Sequence, residues 1–132
     1  MFTLKEINEI HDKFGKAETL IQYLKALRSI GIIQQDSFIT DGHSEYYGIN
    51  GRAVTSQPVH ATLIVADLSD REGLLKQLDL HKQHKTTYLE MSKGLADSGV
   101  EKWTFDTIDM TITYYDKDGT KLETESIRSD ET

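Results

Sequence analysis

The 132-residue chain contains no cysteine, a single proline and a single tryptophan. Without thiols there is no disulfide framework, no thiolate nucleophile and no cysteine-based zinc or iron–sulfur site, which removes several enzyme classes at once. No apolar run approaches the ~20 residues that cross a bilayer, and the start, Met1-Phe-Thr-Leu-Lys-Glu6, lacks a basic stretch followed by an apolar core. A soluble cytoplasmic protein is expected, with no membrane partner. Basic residues are scarce: 15 Lys and Arg stand against 22 Asp and Glu, for a net charge of −7 and a pI near 5.1. Phosphate-backbone binding needs clustered Lys and Arg, so nucleic acid is not an expected partner. The imbalance is uneven, with six basic and seven acidic residues over 1–60 but nine and fifteen over 61–132. A Gly-x-Ser-x-Gly nucleophile motif and a phosphate-cradling glycine loop are both missing.

What the chain does have is periodicity. Only 37% of residues are hydrophobic, yet they recur at regular spacings that a disordered chain would not show. The same pattern also occurs twice at an offset of 68 residues: Gly31-Ile32 with Gly99-Val100, Tyr46-Tyr47 with Tyr114-Tyr115, and Gly51 with Gly119. Lys25 with Lys93, Leu27 with Leu95 and Asp41 with Asp109 keep that spacing. The chain reads as a duplicated unit, organised around Gly99-Val-Glu-Lys-Trp103 and the hairpin that follows.

Thr3-Leu-Lys-Glu6 is a capping box and should open a helix with Leu4, Ile7, Ile10 and Phe14 on one stripe, interrupted at Gly15. A second helix takes Leu20, Ile21, Leu24, Leu27 and Ile30 as its apolar face and stops at Gly31 in a left-handed cap. Short strands are predicted over 33–39, 44–49 and 52–55, with Asn50-Gly51 as a two-residue hairpin turn. The β-branched run His60 to Ala66 predicts a well-buried strand. Ser69-Asp-Arg-Glu72 reads as another capping box opening a helix on Leu74, Leu75 and Leu78, and a further helix carries Tyr88, Met91 and Leu95 to Gly99. Strands over 101–107, 110–115 and 120–127 follow, with a turn at Asp116-Lys-Asp-Gly119. The expected fold is one α+β domain over 1–127, built from internally duplicated helix-helix-β-meander units, about 3–66 and 69–127, with an antiparallel sheet and helices packed on one face. Residues 128–132 are expected to be a frayed tail.

Gly42-His43, Tyr46-Tyr47-Gly48, His81, Thr86, Tyr88, Gly99-Val-Glu-Lys-Trp103 and Tyr114-Tyr-Asp116 together resemble a family of uncharacterised bacterial proteins. This is domain-of-unknown-function family 1398, the YbcV-like proteins, sometimes labelled phage envelope protein. The resemblance covers nearly the whole chain and is most specific from His81 to Trp103 with the Tyr-Tyr-Asp hairpin. It implies a single-domain α+β fold and no particular activity. The family pattern has a Gly where this chain has His84, an acidic residue where it has Thr87, and a cysteine near Ser92 or Ile112, so chemistry relying on that acid or those thiols is not carried over.

Several constellations admit two readings. His81 and His84 would share a helix face and could chelate a metal only with further ligands such as His60, Asp79 or Asp106. The plainer reading is two solvated histidines, and no metal or cofactor is expected. Asp116-Lys-Asp-Gly119 with Glu125 imitates part of a calcium loop, but a tight β-turn accounts for it. His43 near Asp41, and His81 near Tyr88, are acid–base pairs on paper and surface hydrogen-bonding pairs on the plain reading. Tyr46, Tyr47, Tyr88, Trp103, Tyr114 and Tyr115 are the richest feature. Each Tyr-Tyr pair places one ring on each sheet face, one in the core and the other needing cover.

The functional expectation is a non-catalytic binding or regulatory module, self-associating as a homodimer. It would hold a small polar ligand or peptide in a groove between the units edged by His81, Tyr88, Trp103 and Asp106, with His43 and Tyr46 as further candidates. The alternatives are a small enzyme with His81 or His43 as general base, and an acidic phage-associated protein that occupies a basic partner.

Overall fold

The computed structural model describes residues 2–15 and 19–127; the expected tail at 128–132 lies outside them. The elements run α1 (Leu4–Phe14), α2 (Leu20–Ser29), β1 (Ile32–Phe38), β2 (Ser44–Gly48), β3 (Ala53–Thr55), α3 (Arg71–Lys82), α4 (Tyr88–Asp97), β4 (Val100–Asp106), β5 (Thr111–Asp116) and β6 (Lys121–Ser126). The six strands form one antiparallel sheet in the order β3-β2-β1-β4-β5-β6. An α+β architecture with helices over one sheet face is therefore what the chain adopts.

Local chemistry sets the helix ends. Thr3 Oγ1 accepts from the Glu6 amide at 3.2 Å while the Glu6 carboxylate accepts from the Thr3 amide at 2.9 Å, which is the expected capping box. The box expected at Ser69 does not form. Asp70 is the N-cap of α3 and its carboxylate accepts from the Gly73 amide at 3.0 Å, since an aspartate one residue nearer the helix does the same work. Thr87 and Glu90 build a reciprocal box at α4 that the pattern reading had not singled out. Gly31 and Gly99 both follow the second helix of their pair with positive φ, +94° and +83°, as the cap reading required.

The sheet is organised about its centre. β1 and β4 pair with Asp36 opposite Thr104, two residues 68 apart in sequence. Around that point the hydrogen bonds come in matched pairs: the Ile39 amide donates to Glu101 O at 2.9 Å, and the Thr107 amide to Ile33 O at 3.1 Å. Both β1 and β4 carry an irregularity one residue in, between Ile32 and Gln34 and between Val100 and Lys102. Such a bulge reverses the inward and outward alternation downstream. The outer hairpins also correspond. The Gly48 amide donates to Arg52 O at 2.7 Å and the Asp116 amide to Thr120 O at 3.0 Å, each closing a three-residue loop. The Asn50-Gly51 turn is thus not the two-residue type expected: Gly51 has positive φ and Asn50 does not, so the third loop residue takes up the left-handed position.

The run from His60 to Ala66 overturns its prediction. It is an extended connection outside the sheet, and Ile64 is 87% exposed while Val65 is buried. Its amides bond singly, Leu63 to Thr40 O and Ala66 to Ala96 O, so it ties the two halves together without a ladder. β propensity reflects fit to a half-buried pleated surface, and here no neighbouring strand offers one. The core lies between helices and sheet, where Ile7, Leu24, Leu27, Leu74 and Leu95 join Ile32 and Val100 at essentially zero exposure.

Candidate functional site

The inner sheet face differs between the halves. In the first half Gln35 is buried and acts as a hub: its carbonyl accepts from the Tyr23 hydroxyl at 2.6 Å, and its amide donates to Ser37 Oγ at 3.0 Å and Ser44 Oγ at 3.1 Å. At the positions 68 residues on stand Trp103, Phe105 and Ile112, all buried and apolar. One half is thus lined by a polar network and the other by large rings.

The rings continue as a ladder. Tyr114 meets Trp103 edge-on at 6.3 Å between centroids, Trp103 meets Tyr88 at 6.2 Å and 85°, and Tyr88 faces His60 at 6.3 Å. Such tilted geometries suit the aromatic quadrupole. Tyr88 begins α4 and is 41% exposed, so the ladder runs from solvent into the core. Ser92 lies one turn further along α4, fully buried, facing the Tyr88 hydroxyl without making a hydrogen bond of normal geometry. Burial raises the Tyr88 hydroxyl above its ordinary pKa; nearby Ser92 pulls the other way, and Tyr46 and Asp41 add to the rise.

Three buried polar atoms along this seam have no hydrogen-bond partner among the described residues: Trp103 Nε1, Ser92 Oγ and His60 Nε2. His60 Nδ1 lies 2.8 Å from Ala61 O and so donates its proton there, which leaves Nε2 of the neutral ring as an acceptor. The seam therefore offers a donor at Trp103, an acceptor at His60 and a hydroxyl of either kind at Ser92. An unmet buried polar group costs ~1–3 kcal/mol, so each of the three calls for a partner, whether water or a ligand.

The expected site residues divide between places. Tyr88 and Trp103 meet in the seam, and Tyr46, buried on the same sheet face, is close enough to influence the Tyr88 hydroxyl. His81 sits in the last turn of α3 with Nδ1 3.2 Å from Thr86 O and makes no ring contact with the seam. Asp106 is on the opposite face, where its carboxylate accepts from the Ile108 and Asp109 amides at the β4–β5 turn. A single groove edged by His81, Tyr88, Trp103 and Asp106 is therefore not what the fold builds, because residues 103 and 106 differ in parity along one strand. His43 belongs to a third place: Nδ1 is 2.5 Å from Asp41 Oδ1, and its ring stacks on Phe38 at 4.6 Å and 6°. Burial opposes charge on Asp41, but the His43 amide and ring, with His60 further off, hold its carboxyl below the usual range.

His60 and Ser92 escaped the sequence reading. Ser92 had a signal, since it falls four residues after Tyr88 on the stripe that also carries Met91 and Leu95. His60 had none, because its approach to Tyr88 depends on how an irregular connection crosses the molecule.

Among the described residues the outer sheet face carries no helix. Asp36 is buried there despite its charge, accepting from Thr104 Oγ1 at 2.8 Å, Gln34 Nε2 at 3.1 Å and Lys102 Nζ at 3.1 Å. Lys102 also lies over the Phe38 and Tyr115 rings at 5.7 and 5.4 Å. Of each Tyr-Tyr pair, Tyr46 and Tyr114 are in the core and Tyr47 and Tyr115 face outward, as alternation required. Tyr47 donates to Glu45 at 2.5 Å, and that bond, with lesser help from burial, raises its pKa to about 12.

Among the described residues, four helices on one face of a six-stranded antiparallel sheet, with an aromatic seam beneath them, define an α+β protein. A family model described as a protein of unknown function (DUF1398) matches residues 8–126, and the chain belongs to that family. No curated protein matches the chain. Among the described residues no helix is long and apolar enough to cross a membrane.

Proposed function

We propose that this chain is a non-catalytic binding module, and that its ligand is a small polar molecule received at the Tyr88–Trp103 seam. The observation that carries the reading is the set of unpartnered buried atoms at Trp103, Ser92 and His60 beside a ring open to solvent at Tyr88. A ligand with a hydrogen-bond acceptor and a donor on one rigid body would satisfy Trp103 Nε1 and His60 Nε2, and Tyr88 and Trp103 would supply apolar contact area. Correspondence between the two halves supports the reading further. The matched bulges, loops and central pairing are what two copies of one module would give, and divergence of Gln35, Ser37 and Ser44 from Trp103, Phe105 and Ile112 would leave one copy structural and the other receptive.

Trp103 is the sole tryptophan, so its emission reports on the seam without labelling. Against a panel of small amides, carboxylates, nucleosides and dipeptides, at least one class should shift that emission in saturable fashion, and Tyr88→Ala should weaken the response at least tenfold with folding retained. A panel that leaves Trp103 unmoved, together with a crystal structure showing only water at the three atoms, would end the proposal.

The Asp41–His43 couple favours one second reading, a general base at His43, because a carboxylate at 2.5 Å from Nδ1 orients the ring and leaves Nε2 4.0 Å from Glu45. His43→Ala separates the two: loss of a measured turnover with seam binding intact supports catalysis, and unchanged behaviour disposes of it.

A further inference from the structure

The outer face of β4, β5 and β6 holds a groove of roughly 370 Å³ on the side of the sheet away from the seam. Strand register arranges its lining in three rows. Lys102, Tyr115 and Lys121 lie abreast at one end, Thr104, Thr113 and Thr124 in the middle, and Asp106 and Thr111 at the other end beside Asp109. The groove therefore has two lysines at one end, Lys102 paired with Asp36 and Lys121 not, carboxylates at the other and hydroxyls between. The two end charges are available. Neither the Lys121 ammonium nor the Asp109 carboxylate makes a hydrogen bond or ion pair among the described residues, and only Oδ1 of Asp106 is engaged, by the Ile108 and Asp109 amides. Lys102 gives one of its three protons to Asp36 and keeps two. In the middle row Thr113 and Thr124 share one hydrogen bond at 3.1 Å, which leaves their other lone pairs facing outward.

We propose that this groove binds a short extended peptide by its two free termini. The carboxylate lies between Lys102 and Lys121, the ammonium between Asp106 and Asp109, and the threonine hydroxyls meet the peptide amides. Length follows from strand geometry: Asp106 is four positions beyond Lys102, ~13 Å at about 3.3 Å per residue, which is the reach of an extended tetrapeptide. A dipole laid along the groove satisfies both ends, whereas an anion or a cation alone would meet one favourable and one repulsive end.

The probe is tetra-alanine, compared with its N-acetylated form, its C-terminal amide and dialanine, followed through backbone amide shifts of the labelled protein. Tetra-alanine should move Thr104, Thr113 and Thr124 in saturable fashion. Each cap and the shorter peptide should weaken binding at least fivefold. In Lys121→Ala the penalty for amidating the carboxylate should shrink while that for acetylation persists, and Asp109→Asn should show the converse. Lys121 is exposed at the start of β6 and Asp109 is exposed on the β4–β5 turn, so both substitutions test binding without disturbing the core. Capped and free peptides binding alike, shifts confined to the Tyr88 seam, or shifts that track protein concentration without peptide would each overturn the assignment.

Discussion

Gln35 satisfies three hydroxyls from the interior of the sheet, and removing it exposes the asymmetry of buried hydrogen bonds. In Gln35→Ala the hydroxyls of Tyr23, Ser37 and Ser44 lose their hub; the two serines can still bond each other at 3.1 Å, and Tyr23 keeps only the neighbouring Tyr46 hydroxyl. Loss of the hub bonds plus a small cavity should cost about 2–4 kcal/mol in urea unfolding; a cost under ~0.5 kcal/mol would mean that the hub is not satisfied as drawn. Gln35 was illegible in the sequence for a definite reason. Ile32 and Gln35 both point inward although three residues apart, which alternation forbids unless a bulge intervenes, and neither Ile33 nor Glu101 carries a residue signature of one. The split of each Tyr-Tyr pair between the two faces was legible because β2 and β5 carry no inserted residue of their own, so neighbours on them alternate.

Among the elements, the helix stops give the sharpest contrast. Gly31 and Gly99 share a left-handed backbone, but a Cβ at Gly31 would meet nothing within 4 Å, whereas at Gly99 it would lie 2.7 Å from Leu68 O and 2.7 Å from Ser69 Cα. Gly31→Ala should therefore cost only the left-handed strain, about 1–2 kcal/mol. Gly99→Ala adds overpacking against backbone, for a total of about 2–5 kcal/mol. Denaturant unfolding of the two variants side by side decides it, and equal losses would contradict the close approach. Helix starts, helix stops and strand identities were readable because caps, periodicity and turn glycines are local signals. The connection from His60 to Ala66 was misread because its sequence favours a strand while its position, strung from Thr40 to Ala96, denies it a partner.

At the scale of the whole molecule, the phenols set an upper pH limit. Burial raises the Tyr23 and Tyr114 hydroxyls far above the ordinary value, burial also raises Tyr46 and Tyr88, and the bond to Glu45 raises Tyr47 to about 12. A group whose folded pKa lies above its unfolded one contributes stability that is complete below the unfolded value, near 10, and lost as pH rises toward the folded value. Unfolding free energy should thus fall steadily above about pH 10, with phenolate absorbance from the core tyrosines rising only as the chain unfolds. Phenolate titrating in full while the protein stays folded would show that these rings are not buried as described. Charge is also unevenly placed: the second half carries most of the net −7, and the outer face of that half bears the groove with its two lysines.

The central claim, that the Trp103 seam receives a ligand, is tested most directly by the single indole N–H resonance of the protein taken from its native cells and measured before and after unfolding and refolding in clean buffer. If the seam is a binding site, the resonance should change position once the ligand is stripped and return when the low-molecular-mass fraction of the same cells is added back. One unchanging position through all three states, with equal masses under native and denaturing conditions, would contradict the claim.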